Sequence, residues 1–138
     1  WSTVSASGFR ASAEAMHLSW VDADGAGLTD EEVLSVGKHL AGSAETATRA
    51  AVLLGIALDL GEGPSTAAKN LLVQRLLSKV APGSRAENGV DIVAARALAP
   101  HLAGDPESTE ALLELAVGDA PHPDLAVRVE CAAAALPA

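Results

Sequence analysis

Apolar residues in this chain recur every three to four positions, and no segment alternates between apolar and polar residues. Val33, Val36, Gly37 and Leu40 fall at i, i+3, i+4 and i+7. Val73, Leu76, Leu77 and Val80 repeat the spacing, and Leu125, Val129, Ala132 and Leu136 continue it. Such positions share one side of a helix, whereas a half-buried strand needs a period of two. The fold class expected is therefore all-α. The pattern predicts about seven helices in one domain over residues 1–138, as a compact bundle or a short array of helical hairpins.

Punctuating residues place the elements. The first helix is expected from Phe9 to Val21, with Phe9, Ala13, Met16 and Trp20 on one face. A glycine-rich acidic turn follows, then Thr29 and Glu32 at capping-box spacing open a second helix that Gly42 ends. Ser43 opens a third over residues 44–60. Val52, Leu53, Leu54, Ile56 and Leu58 make it apolar on nearly every side, which reads as a central, fully surrounded helix. Gly61, Gly63 and Pro64 break the chain, and Ser65 is the expected cap of a fourth helix reaching Val80. Pro82 and Gly83 stop it. Ser84 and Glu87 have capping-box spacing, but Asn88 and Gly89 read as loop, so the fifth helix is expected near Asp91 and ends at Pro100. Glu107 or Ser108 opens the sixth helix, and Asp124 caps the seventh. Residues 15–40 also align on residues 111–136 without gaps, pairing Val21 with Val117, Val33 with Val129 and Leu40 with Leu136. That alignment suggests two related hairpins.

Composition narrows the partners. Apolar residues make up 49 % of the chain and aromatics 2 %, so the core must be built from Leu, Val, Ile and Ala. Net charge is −9, and the nine Lys and Arg residues form no basic stripe. Nucleic acid is thereby excluded as an expected partner, because phosphate neutralisation supplies most of that affinity. Anionic membrane surfaces are disfavoured on the same ground, and no apolar run reaches the roughly 18 residues of a spanning helix. No basic region precedes an apolar block at the N-terminus, so no secretory leader is expected. The chain begins at Trp1 rather than Met, which reads as a processed or trimmed form or a piece of a longer protein. Cys131 is the only cysteine. It sits in an apolar helical pattern, as a small buried side chain, and its solitude fits a cytoplasmic protein.

The densest chemical signal is the run from Asp22 to Glu32. Asp22, Asp24, Asp30, Glu31 and Glu32 gather five carboxylates around Gly25 and Gly27. A hard cation, Ca²⁺ or Mg²⁺, needs several oxygens on a tight loop, so these five are the candidate metal ligands. The run begins like an EF-hand loop. It departs from one at its fifth position, Ala26, and in the early arrival of Leu28 and Glu32. The competing reading is a solvated turn followed by a capped helix whose first acids favour the positive end of the dipole. Other motifs carry less. The stretch from Gly61 to Ser65 follows a helix and lacks the lysine of a phosphate-binding loop. His17, His39, His101 and His122 lack ligand spacing, although His17 adjoins the acidic turn. Nothing resembles a nucleophile elbow, and no catalytic residue is assigned.

Ala23-Asp24-Gly25 followed by Leu28-Thr29-Asp30-Glu31-Glu32 resembles the first acidic turn of TerB-like domains of tellurite-resistance proteins. The run from Val117 to Asp124 stands where that family has a second turn, with Gly118 and Asp119 in reversed order and without the glutamates. This resemblance implies a compact helical, cation-associated accessory domain of a stress-response system. Asp119, Pro123-Asp124, Val127-Arg128 and residues 132–136 instead resemble the turn and second helix of a HEAT-like repeat, which implies a protein-binding scaffold. The expected function is a non-catalytic helical module that binds another protein through an alanine-rich groove or an acidic face, alone or within a larger chain. The alternative is a divalent-cation-binding domain using the turn at 22–32. A small helical enzyme or apolar-ligand carrier is a third class, for which no polar groups converge in the sequence.

Overall fold

Short polar side chains start four of the helices in the computed structural model, which describes residues 6–21, 27–61, 63–79 and 85–136, at 85–88 the backbone alone. In chain order the helices are α1 (Ala6–Ala15), α2 (Asp30–Gly37), α3 (Ala44–Leu58), α4 (Gly63–Leu77), α5 (Arg85–Leu98), α6 (Pro106–Val117) and α7 (Leu125–Ala135). Tight 3-10 turns follow α2 at Lys38–Ala41 and α5 at Ala99–His101, and no strand occurs among the described residues. The protein is all-α. Thr29, Ser43, Asp105 and Asp124 cap α2, α3, α6 and α7, each accepting a backbone N–H three residues on. Each cap satisfies one of the amides that a helix start leaves without a partner. The chain's contacts fall into two compact units, Trp1–Leu71 and Leu72–Ala138, with the boundary inside α4.

In the first unit α3 packs against α1, α2 and the Lys38–Ala41 turn. The expected stripe of Val33, Val36, Gly37 and Leu40 is buried, as are Phe9 and Ala13 of α1. Helix α3 buries Ala47, Ala50, Ala51, Leu54, Ala57 and Leu58 on one broad side, while Val52 is 40 % exposed. It is therefore not surrounded, as the apolar run around Val52 suggested. Helix α1 is shorter than expected because the chain turns left-handed at His17, with φ 56°. His17 N–H donates to Glu14 O at 3.1 Å and Leu18 N–H to Ala13 O at 3.1 Å, the paired bonds of a Schellman motif. Gly37 lets α4 approach: a Cβ there would stand 2.6 Å from Leu71 Cδ1.

In the second unit α7 packs against α5, α6 and the Ala99–His101 turn. Its buried side is Val127, Cys131, Ala134 and Ala135. That corrects the register read from the sequence, since Leu125, Val129 and Leu136 lie outside. The buried line of α4 is Ala68, Leu72 and Leu76; of the expected stripe Leu76 is buried, Val73 is half-buried, Leu77 is exposed and Val80 lies outside the described residues. Helix α5 runs straight through Asn88 and Gly89, where a loop was expected. Glycine costs about 1 kcal/mol in a helix interior. Burial of Val90, Ala94, Ala95 and Leu98 outweighs that, each buried aliphatic contributing on the order of 1 kcal/mol or more. The alignment of 15–40 on 111–136 pairs buried Val33 with exposed Val129 and buried Leu40 with exposed Leu136. In that register the two segments are not structural equivalents. No helix among the described residues is long and apolar enough to cross a membrane.

Candidate interaction surface

Two buried ion-pair clusters and one uncovered apolar face stand out from the helical framework. The first cluster holds the end of the acidic turn. Arg10 of α1 donates from Nε to Glu32 Oε2 and from Nη2 to Glu32 Oε1, both at 2.8 Å, and Nη2 also reaches Gly27 O at 2.9 Å. Thr29 N–H donates to Glu32 Oε1 at 3.1 Å, and Glu32 N–H donates to Thr29 Oγ1, completing the capping box expected from the sequence. The Arg10 hydrogen bonds hold the Glu32 carboxyl below its ordinary range, against the upward pull of burial and with help from Thr29.

Three of the five candidate metal ligands lie among the described residues. Asp22 and Asp24 lie outside them. Asp30 and Glu31 are exposed in the first turn of α2, and Glu32 is buried with both oxygens committed to Arg10. A cation at Glu32 would have to displace a guanidinium. Among the described residues no group of three or more His, Cys, Asp and Glu is placed to hold a metal. His17 is exposed, and His39 Nε2 lies 2.9 Å from Ser19 O.

The second cluster centres on Asp91, in the second unit. Arg75 Nε donates to Asp91 Oδ1 at 2.9 Å, and His122 Nε2 lies 2.7 Å from Asp91 Oδ2. Asp124 N–H donates to His122 Nδ1 at 3.0 Å, and His122 N–H donates to Leu115 O at 2.8 Å. Because Nδ1 accepts, the hydrogen-bond pattern assigns the ring proton to Nε2. The cluster ties α4 and α5 to the turn between α6 and α7. Asp91 sits beside Val90 and Ile92 on an apolar stretch, and an acid in that position was the only hint of it in the sequence. Cys131, also buried, makes up the residue types of a thiol hydrolase with His122 and Asp91. The arrangement does not support that chemistry. Both ring nitrogens of His122 are engaged, and burial first, then the charges of Asp91 and Glu130, pushes the Cys131 thiol up to about 11.

The uncovered face belongs to α7. Leu125 is 70 % exposed, Val129 59 % and Leu136 71 %, with Val117 at the end of α6 73 %. Leu125, Val129, exposed Ala133 and Leu136 fall at i, i+4, i+8 and i+11, a line of about 16 Å at 1.5 Å per residue. This helix is thus apolar on two sides, with the smaller residues inside and the larger ones outside. Arg128, beside the stripe, donates from Nε to Ala116 O at 3.0 Å. Elsewhere in the unit an open apolar groove of about 640 Å³ is lined by Leu102, Ala103, Gly104, Pro106, Thr109, Glu110 and Leu113. The Thr109 hydroxyl is turned to Leu102 O and Asp105 O, so Glu110 carries the charge on its wall.

Compared with known proteins, the chain matches no family model, no curated protein and no solved structure, so neither the TerB-like nor the HEAT-like resemblance gains support.

Proposed function

We propose that this chain is a non-catalytic helical interaction module that docks another protein on the outer face of α7. One observation carries the reading: a line of large aliphatic side chains, Leu125, Val129 and Leu136, stands open to solvent on a helix whose opposite side is packed. Single exposed leucines are ordinary, but contiguous exposed apolar patches mark contact surfaces. Covering the stripe would return about 25 cal/mol for each Å² of apolar surface removed from water. The two ion-pair clusters serve the framework, since Glu32 completes a cap and His122 anchors the turn that precedes α7. A reducing, cytoplasmic setting belongs to the same proposal, as it suits the free thiol of Cys131.

The test places charge on the stripe. The double variant Leu125→Asp/Val129→Asp keeps the packed side of α7 intact, and Val52→Asp puts one charge on an exposed valine of the other unit. A protein partner retained by the wild-type chain and by Val52→Asp, but lost from the α7 variant, is the expected outcome. Equal retention by all three would remove the reading.

A further inference from the structure

We propose that the occupant of the α7 face is an amphipathic helix of another protein, edged by lysine or arginine. The inference rests on the reading of α7 as a docking face and adds the chemistry of what docks there. Charge carries it. Residues 106–136, the hairpin of α6 and α7, contain six carboxylates, Glu107, Glu110, Glu114, Asp119, Asp124 and Glu130, and one cation, Arg128. Glu107, Glu110, Glu114 and Asp119 are exposed. Arg128 is drawn onto the Ala116 carbonyl, and Glu130 is paired with Arg96 at 2.8 Å. Glu114 accepts the Asp119 N–H and Asp124 the Val127 N–H. The apolar stripe is thus presented on a hairpin of net negative charge, six carboxylates against one arginine. A second copy would bring the same sign to the contact, and like charges brought together oppose association. A partner with a cationic border gains both apolar burial and complementary charge. A helix suits the shape, because Leu125, Val129 and Ala133 form an i±4 ridge with Leu136 on the same side, and such ridges seat in the grooves of a second helix.

Two synthetic peptides separate this chemistry from the docking reading beneath it. Both carry leucines at i, i+3, i+4 and i+7, one with lysine on the flanks and one with glutamate. Each is titrated by fluorescence anisotropy against the full chain, Leu125→Asp/Val129→Asp and the uncharged Leu125→Ser/Val129→Ser, at low and high salt. Circular dichroism confirms that the variants keep their helices. The lysine peptide is expected to bind the wild type at least about tenfold more tightly than the glutamate peptide and to weaken with salt. Both variants are expected to lose that binding. The aspartates add negative charge, so attachment by charge alone would instead strengthen in that variant. Equal binding of the two peptides, lost in both variants, overturns the basic edge while α7 remains a docking face. Binding of neither peptide, or lysine-peptide binding that both variants retain, overturns both. A concentration-dependent dimer of the wild type that Leu125→Ser/Val129→Ser abolishes makes a second copy the occupant and overturns the proposal.

Discussion

Replacing Arg10 by methionine tests how the first unit is held together. The substitution keeps an apolar stem of similar reach and removes two guanidinium–carboxylate bonds, both 2.8 Å long. Glu32 is left with a side chain that is 0 % exposed and the Thr29 N–H as a remaining donor. Removing one partner of a fully buried ion pair costs about 3–5 kcal/mol. The Arg10 side chain keeps 19 % exposure, so part of its charge is solvated in either state and the cost falls to about 2–3 kcal/mol at pH 7. Arg10 holds the Glu32 carboxyl below its ordinary value of 4.5. A carboxyl with a depressed value in the folded state adds stability that is present above the unfolded value and lost as pH falls through the folded one. In Arg10→Met burial acts without that counterweight, so the carboxyl takes up a proton at higher pH and part of the loss is recovered. The difference between wild type and variant should therefore narrow from pH 7 to pH 4. Trp20 belongs to the first unit and residues 72–138 contain no tryptophan, so urea unfolding followed by tryptophan emission reports on the unit that carries the pair. With a urea slope of about 1–3 kcal/mol per molar, the midpoint should fall by roughly 1 M or more at pH 7. A loss below about 0.5 kcal/mol at pH 7, typical of exposed pairs, or a difference indifferent to pH, would refute the reasoning.

Three further outcomes follow from the geometry. His17→Gly should stabilise the first unit by about 0.5–1 kcal/mol, because His17 holds φ 56° at the Schellman position that glycine adopts without penalty; unchanged urea midpoints would speak against that strain. Asp91→Ala should cost about 3–5 kcal/mol in thermal or urea unfolding followed by circular dichroism, since it removes the Arg75 ion pair and the carboxylate facing buried His122 together. The loss should be smaller for Asp91→Asn, which keeps one acceptor. Val127→Ala should cost about 1–3 kcal/mol and Val129→Ala under about 0.5, as only Val127 leaves a cavity. The reverse order would place the core on the other side of α7.

What could be read from the sequence was local. Thr29 with Glu32, Ser43 and Asp124 announced their helices because a cap acts within three residues of itself. The stripe from Val33 to Leu40 was legible because its polar side carries Glu31 and Lys38. Helix α7 misled because both of its sides are apolar. Leu125, Val129 and Leu136 are bulkier than Cys131, Ala134 and Ala135, so periodicity weighted by size selects the outer side. The small inner residues let α5 and α6 approach closely, and that preference shows only in the packed fold. The ion pairs were beyond reach for another reason: Arg10 and Glu32 are 22 residues apart, Arg75 and Asp91 16, and Asp91 and His122 31. Their pairing is tertiary, with no local spacing to betray it. Within the acidic turn, the density of carboxylates gave no sign that Glu32 is bound to a cap and to an arginine from the preceding helix.

Docking of a partner helix on the outer face of α7 can be watched residue by residue. Methyl spectra of the full chain, labelled at leucine and valine and titrated with the lysine-flanked peptide, test it most directly. Shifts concentrated on Leu125, Val129, Leu136 and Val117, with Leu53 and Leu54 unmoved, are the expected result. Shifts that gather on Leu102 and Leu113, or on Val52 and Leu34, while the α7 methyls stay still would contradict it.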